Sequence, residues 1–491
     1  MIVFKKYNHR TFSIIWWIFS ILFFVVFFSA HLNAQIPLLS KEEMHKDLDQ
    51  LNRYMKKWHP AYYAYANKEQ MQIHYALMKD LCADSLSLRE FRNVLRKAVG
   101  KVGCGHISVS GRKSASKGPL IPLIPVKVKI LEDRLFVVSC EDSLKRIEPK
   151  EEIISIEGVA SNEWINSMKE LSLSDGYNQT HKTYSAEINF AVFIYYLLGH
   201  RDKFILKLKD HSGEIYETVL FAKIPVSQPN TILDEASRKS ILKESGIHLQ
   251  KLDGCVGSYL LDVDHFTGKG QGKWFRQVFK ILKSDHCQNL IIDLRGNGGG
   301  NVFKGNIFLA YLLDQPVRFF TFHRRLSLTP FNPKFKASFL ERITPLLFCL
   351  NPIQFPGRHG WYHSFPFFKK YKYHFDGKIY VLTNGGTFSM ASYVTSHLKH
   401  QKQAVVIGEE TGGSEFASRG LASGNIELSK SGLRVGLNVY QLTSGLGLKD
   451  SGHGVMPDYP LTYQPQDWQQ NLDLELIKVT ELISKNEHLS R

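Results

Sequence analysis

Between Gly246 and Ile483, short apolar runs of strand length alternate with amphipathic stretches of helix length, which argues for a layered α/β architecture. GSYLLDV, KIYVLTN, AVVIGEET and LRVGLNVYQLT read as strands, and NLIIDLRG as a buried one. KWFRQVFKIL, NVFKGNIFLAYLL and SMASYVTSHLKHQ carry the spacing of helices. At 491 residues the chain exceeds one core, since cores stop growing near roughly 250–300 residues. More than one domain is therefore expected.

The regions before Gly246 have other periods. From Leu39 to about Val102 apolar residues recur three and four apart, so residues 35–117 are expected to form an N-terminal helical domain. Its first helix should end at His59-Pro60, and Ser87 or Ser85 should cap a later one. IPVKVKILEDRLFVVSC and EEIISIEGVAS alternate with period two, and with the helical WINSMKEL and INFAVFIYYLLG they make residues 118–225 a small β-rich unit. Residues 226–245 read as a polar linker, and residues 246–491 as the α/β core. Within that core, residues 314–373 interrupt the pattern for longer than a plain loop does.

Residues 1–34 are targeting rather than fold. Lys5, Lys6 and Arg10 precede the apolar run FSIIWWIFSILFFVVFFSA, and Leu32-Asn33-Ala34 offers a small-residue cleavage site. The expectation is a signal peptide cleaved after Ala34, placing the chain in the periplasm or cell envelope; the run also has the length of an uncleaved N-terminal membrane anchor. The formal charge of +16 raises nucleic acid as a partner. Its distribution argues for no nucleic acid: residues 310–375 hold ten Lys/Arg against two Asp/Glu, together with seventeen aromatic residues. That composition suits a lid or contact with a membrane surface. Six cysteines without a CxxC pair are too few to staple the chain and have no zinc spacing, so buried thiols and no metal or organic cofactor are expected.

Three glycine-bearing loops follow strands: RGNGGGN (Arg295 to Asn301), NGGTFS (Asn384 to Ser389) and GEETGGS (Gly408 to Ser414). Ligands in α/β sheets sit where strands end and helices begin, so the loops are candidates for one cleft. Their amides can hold an oxyanion or a phosphate, but neither GxxxxGK[ST] nor GxGxxG is present. Ser389 stands at a strand–turn–helix junction, where a nucleophile is exposed near the positive end of a helix. A helix cap has the same local signature, and local chemistry alone favours it. A nucleophilic serine also needs a base. Of the twenty histidines, His106 in GCGHIS and His453 in SGHGVMPD are the candidates.

In combination these segments resemble the carboxy-terminal processing and tricorn-type serine peptidase family. GCGHIS, IEPKEEIISIEGV, LIIDLRGNGGG, VLTNGGTFSMASYV, VVIGEETGG and GHGVMPDYPL stand in the family's order and cover most of the chain after residue 40. The resemblance implies a crotonase/ClpP-like α/β peptidase core, with residues 118–225 as a PDZ-like domain of the kind found in tail-specific proteases. That region lacks a Gly-Leu-Gly-Phe loop. It also implies a secreted serine endopeptidase acting on protein or peptide through an acyl-enzyme, with Ser389 as nucleophile. The lysine of the processing branch is replaced by Ser414, and the tricorn-type branch takes its base from a histidine where His106 falls. The carboxylate before the GV-x-PD motif corresponds to Ser451, with Asp450 beside it, so Asp450 is the expected third residue. Oxyanion donors are expected at Met390 and Gly299, with Gly298 or Gly300 as replacements for the latter. The competing readings are an inactive module of the same fold that binds peptides or apolar ligands, and a structural envelope adaptor.

Overall fold

Helix signals encoded in the N-terminal region act as expected. In the computed structural model, which describes residues 38–112, 121–141, 146–225, 240–314, 317–324, 335–336, 354–357, 360–367 and 372–489, helix α1 (Lys41–Trp58) opens on a capping box of Ser40 and Glu43. It has Glu42 and Glu43 in its first turn, Lys56 and Lys57 in its last, and stops before Pro60. Helices α2 (Lys68–Asp80) and α3 (Leu88–Gly100) follow, the latter capped by Ser87 with Glu90. Met44, Leu48, Leu51 and Met55 bury one face of α1 in a cluster with Phe91, Leu95 and Val99 of α3. Strand β1 (Ser108–Ser110) then leaves this region. The expected signal segment lies outside the described residues.

The next unit comprises β2 (Val126–Leu131), β3 (Arg134–Cys140), β4 (Glu152–Ile156), α4 (Ser161–Leu171), α5 (Thr180–Ile188), α6 (Phe190–Leu198), β5 (Lys203–Lys209) and β6 (Ile215–Phe221). Its strands pair antiparallel in the order β2-β3-β4-β5-β6. Alternate residues Phe204, Leu206 and Leu208 of β5 face a core containing Trp164, Phe190 and Phe193.

The third region holds two sheets. Strands β7 (Leu242–Glu244), β8 (Ile247–Lys251), β9 (Ser258–Val263) and β10 (Asn289–Asp293) are separated from the later strands of the chain by helix α8 (Val302–Ala310), with α7 (Gln271–Ser284) between β9 and β10. β7 shows that ordered structure begins before the end of the expected linker, whose residues 226–239 lie outside the described residues. The backbone of the interruption at 314–373 carries β11 (Val317–Arg324), β12 (Phe335–Lys336), β13 (Gln354–Gly357) and β14 (Gly360–Phe367). The side chains of 315–335 and 337–371, on which a lid or membrane contact would depend, lie outside the described residues. The chain continues with β15 (Lys378–Thr383), α9 (Met390–Lys402), β16 (Val405–Gly408), β17 (Ala417–Glu427), β18 (Arg434–Thr443), β19 (Tyr459–Pro460) and the C-terminal helix α10 (Leu474–Leu489).

The main sheet runs β7-β8-β9-β10-β15-β16-β19 and is parallel from β9 onward. Consecutive parallel strands need crossovers, and α7 and α9 supply them. The Phe308 ring of α8 packs at a tilt against Phe275 and Phe279 of α7 beside the sheet, in one cluster with Ile292 and Val381. Each such buried ring contributes about 1.5–3 kcal/mol of transfer free energy, so Phe308→Ala is expected to cost about 3–5 kcal/mol. The second sheet is antiparallel, β12-β17-β18-β11-β14-β13, and β1 joins it on β18. Thus the loop before β1, which contains His106, is pinned to the core by backbone pairing.

Candidate active site

The three glycine-bearing loops follow β10, β15 and β16, which lie side by side in the sheet. Their loops therefore emerge at one carboxyl edge. Ser389 precedes α9 with φ 56° and ψ −116°, a conformation costly for a residue with a Cβ, and its side chain makes no capping bond. The surrounding backbone enforces that geometry. Phe388 N–H donates to Asn297 O at 2.9 Å, Thr387 Oγ1 donates to Leu294 O at 2.7 Å, and Ser392 Oγ donates to Thr387 O at 2.7 Å.

Gly299 closes against this turn. With φ 94° it has no room for a side chain, since a Cβ there would stand 2.7 Å from Met390 N and 2.9 Å from Ser389 Cβ. Met390 opens α9, where an amide has no carbonyl one turn back to bond. The Gly299 N–H donates to Asn297 Oδ1 at 2.8 Å, so the donor expected at Gly299 is already engaged.

His106 lies 283 residues from Ser389 in sequence, yet its Nε2 is 3.0 Å from Ser389 Oγ. The imidazole rests on the Phe388 ring, centroids 4.7 Å apart, and Phe388 stacks on His181 at 4.5 Å. Gly105 makes this possible, because a Cβ there would come within 2.7 Å of the Phe388 ring. Burial depresses the His106 pKa below its ordinary 6.5; the Asp175 carboxylate opposes that shift, and Arg419 and His181 reinforce it. The ring is thus neutral at pH 7, with a lone pair available at Nε2 when the proton is on Nδ1.

Asp450 stands elsewhere in the site. Its carboxylate accepts from Tyr65 Oη at 2.9 Å, from the buried Arg419 guanidinium at 3.2 Å and from Gly452 N–H at 3.0 Å. No hydrogen bond joins it to His106 among the described residues. His453 is half-exposed and its Nδ1 faces Glu410 Oε1 at 3.2 Å, with no hydrogen bond to Ser389 among the described residues. Ser414, at the position where the resemblance places a lysine, is buried, and its amide donates to Asp175.

Residues that the sequence did not single out complete the surroundings. Asp175 is buried, and one ligand atom each of Asp175, Cys104 and His106 lie within 4.8 Å of one another. That trio fits a metal poorly: both Asp175 oxygens already accept backbone amides, and burial, with Asp175 adding to it, pushes the Cys104 thiol up to about 12. A second trio, Asp314, His374 and Asp376, has the Lys402 ammonium 2.8 Å from Asp314, a charge already in a cation's place. His59, at the end of α1, is held down to about 3 by burial, with Arg419 and His106 adding to it. Nothing local marks these groups, because burial of a polar residue is a property of the folded packing.

A family model, peptidase family S41, matches residues 259–461. The search of curated proteins finds no match. Among solved structures, mature CPAF complexed with lactacystin is similar at TM-score 0.65 with 16% identity, covering 91% of this chain and 99% of that one. A putative peptidase from Parabacteroides merdae gives TM-score 0.46 with 13% identity over 91% of this chain and 97% of that one. At such identities the likeness to the first is one of fold.

Proposed function

Residues 259–461 match the model of peptidase family S41, and on that premise we propose that the protein is an exported serine endopeptidase with Ser389 as nucleophile and His106 as general base. One observation carries the reading. A serine in a strained backbone conformation at a helix start forgoes its capping bond and meets a neutral histidine at 3.0 Å.

Ser389 Oγ attacks the scissile carbonyl carbon while its proton passes to His106 Nε2. The carbonyl oxygen becomes an oxyanion, the intermediate expels the amine with the proton returned by His106, and an acyl-enzyme remains on Ser389. Water then attacks the ester carbonyl while its proton passes to His106, the bond from Ser389 Oγ to the acyl carbon breaks as His106 returns the proton to Oγ, and the acid product leaves. Met390 N–H and Gly300 N–H are assigned as oxyanion donors. The bridge between Phe266 and Gly300 uses Gly299 O and Asn301 N, so the Gly300 amide takes no part in it. Asp450 acts through Tyr65 and Arg419 in this reading rather than on the histidine.

Residues 118–225 are assigned as a PDZ-like domain on the antiparallel sheet with its flanking helices. Export to the cell envelope rests on the composition of residues 1–34. None of the described helices is long and apolar enough to cross a membrane.

The test is covalent labelling of the purified chain by a fluorophosphonate, with the adduct located by mass spectrometry. Labelling is expected at Ser389, lost in Ser389→Ala and strongly slowed in His106→Ala. Labelling that survives in His106→Ala but is lost in His453→Ala would transfer the base role. Absence of any adduct, with specific peptide binding retained, would favour the inactive binding module.

A further inference from the structure

We infer that Asp175 is the positioning carboxylate of the site, delivered from the second unit to set His106 against Ser389 and to balance the charge His106 gains. The inference rests on the peptidase reading. It starts from where the two carboxylate oxygens go. Oδ1 accepts from Gly105 N–H at 2.8 Å, fixing the residue before the base, and Oδ2 accepts from Ser414 N–H at 3.2 Å, fixing the loop that passes behind the nucleophile. A single side chain thereby spaces the two halves of the site.

Its own placement is over-determined. Gly176 N–H donates to Gly103 O at 3.0 Å and Tyr177 N–H to Gly452 O at 2.8 Å. Asn178 Nδ2 donates to Thr411 O at 2.8 Å, and Thr180 Oγ1 to Glu410 O at 2.9 Å. His181 Nδ1 meets Gly385 O at 2.9 Å. The segment from Asp175 to His181 thus ties down the His106 loop, the Ser389 loop, the loop after β16 and the loop before β19. These bonds span more than 200 residues of sequence in several cases, and each is 3.0 Å or shorter.

Charge supplies the second argument. When His106 takes the serine proton, a positive ring forms beside the Arg419 guanidinium of β17, with the His181 ring of α5 and the buried His59 of α1 close enough to be felt and the Cys104 thiol next to it. Asp450 is already bonded to Arg419. Asp175 is the carboxylate whose field acts on His106 itself, and it favours the imidazolium. Among the described residues His106 Nδ1 has no hydrogen-bond partner, so Asp175 acts through the loop and through space rather than by a direct bond.

The experiment is the rate of fluorophosphonate labelling at Ser389 as a function of pH, in the full chain and in Asp175→Asn. The base must be neutral, so the rate rises with pH through the His106 titration. Removing the carboxylate disfavours the imidazolium, so the acid limb should move to lower pH while the plateau falls by about 10²-fold, within the range of a positioned base. A plateau within threefold of wild type, or a reduced plateau with an unmoved acid limb, would overturn the assignment. Asn178→Ala removes the tie to Thr411 O and the bonds that Asn178 Oδ1 accepts from Thr180 and His181 without changing charge, and is expected to slow labelling with the limb unmoved; an equal displacement there would assign the shift to loop movement and also overturn it. If Asp175→Asn does not fold, Asp175→Ser carries the same readouts. Failure of the parent reading is separate, because it shows as an unlabelled wild type.

Discussion

The two sides of the proposed catalytic pair, Ser389 and His106, are built differently. On the nucleophile side, Thr387, Phe388, Ser392 and Asn297 are joined by short hydrogen bonds within adjacent loops of one sheet edge. On the base side, His106 Nδ1, His59 Nε2 and Arg419 Nε and Nη1 are buried without a partner among the described residues. The contrast teaches how each demand is met. A nucleophile needs one strained position held rigidly, which backbone ties do well. A base needs a tuned proton affinity, which buried charges supply from several directions at the expense of complete hydrogen bonding.

The sharpest break of this contrast is on the nucleophile side. Ser389→Ala is expected to lower peptide turnover by about 10⁶-fold, in line with removal of a nucleophile that works as a unit with its base. Turnover assays on an unfolded protein substrate check it, and activity within a hundredfold of wild type would reassign the nucleophile. Next in size, Gly299→Ala should reduce turnover by about 10²–10³-fold with the fold intact, because the added methyl displaces Met390 N–H from the oxyanion. Circular dichroism and turnover together separate that outcome from unfolding.

On the base side smaller effects on rate and larger ones on stability are expected. Asp450→Asn should cost about 1–3 kcal/mol of stability, the range for weakening a hydrogen bond to a buried charged group, while turnover falls less than tenfold. A loss of about 10⁴ in turnover with stability unchanged would restore Asp450 to the role its sequence position suggests.

The smallest effect is a pH dependence of stability. His59 is held down to about 3 and His397, on α9, to about 4, in both cases chiefly by burial. Each folded-state pKa is below the unfolded value near 6.5, so the unfolded chain binds more protons in acid. The contribution is complete above pH 6.5 and is lost as pH falls toward 4 for His397 and 3 for His59. Between pH 6.5 and 5.5 the loss is about 1 kcal/mol for each histidine. Thermal melts over that range should be flatter for His59→Gln, and an unchanged slope would show that His59 is already charged in the fold.

Much of the architecture was legible because it repeats locally. Ser40 with Glu43 and Ser87 with Glu90 form capping boxes, Pro60 follows the end of α1, and the apolar runs of β9, β10 and β15 become adjacent buried strands. The expected interruption at 314–373 was harder to read. Its β11 pairs with β14 and, more than 100 residues away, with β18, and such pairing leaves no local period. In the site, Ser389 and His106 were legible as members of ordered motifs. SDGYNQTH was not, since polar residues with a glycine read as a surface turn, whereas Asp175 and Asn178 are buried.

Sequence alone determined the element types, the alternation that demands a layered α/β core, and the identity of the glycine-rich turns, because these depend on contacts a few residues apart. It also supplied the resemblance that brought His106 and Ser389 into one argument. Only the tertiary structure decided that Ser389 is strained rather than capping, that Gly299 N–H is already engaged, and that Asp450 bonds Arg419 while Asp175 reaches the His106 loop. The physical reason is that hydrogen-bond partners and desolvation are set by groups hundreds of residues apart in sequence, and neither leaves a mark in the local pattern.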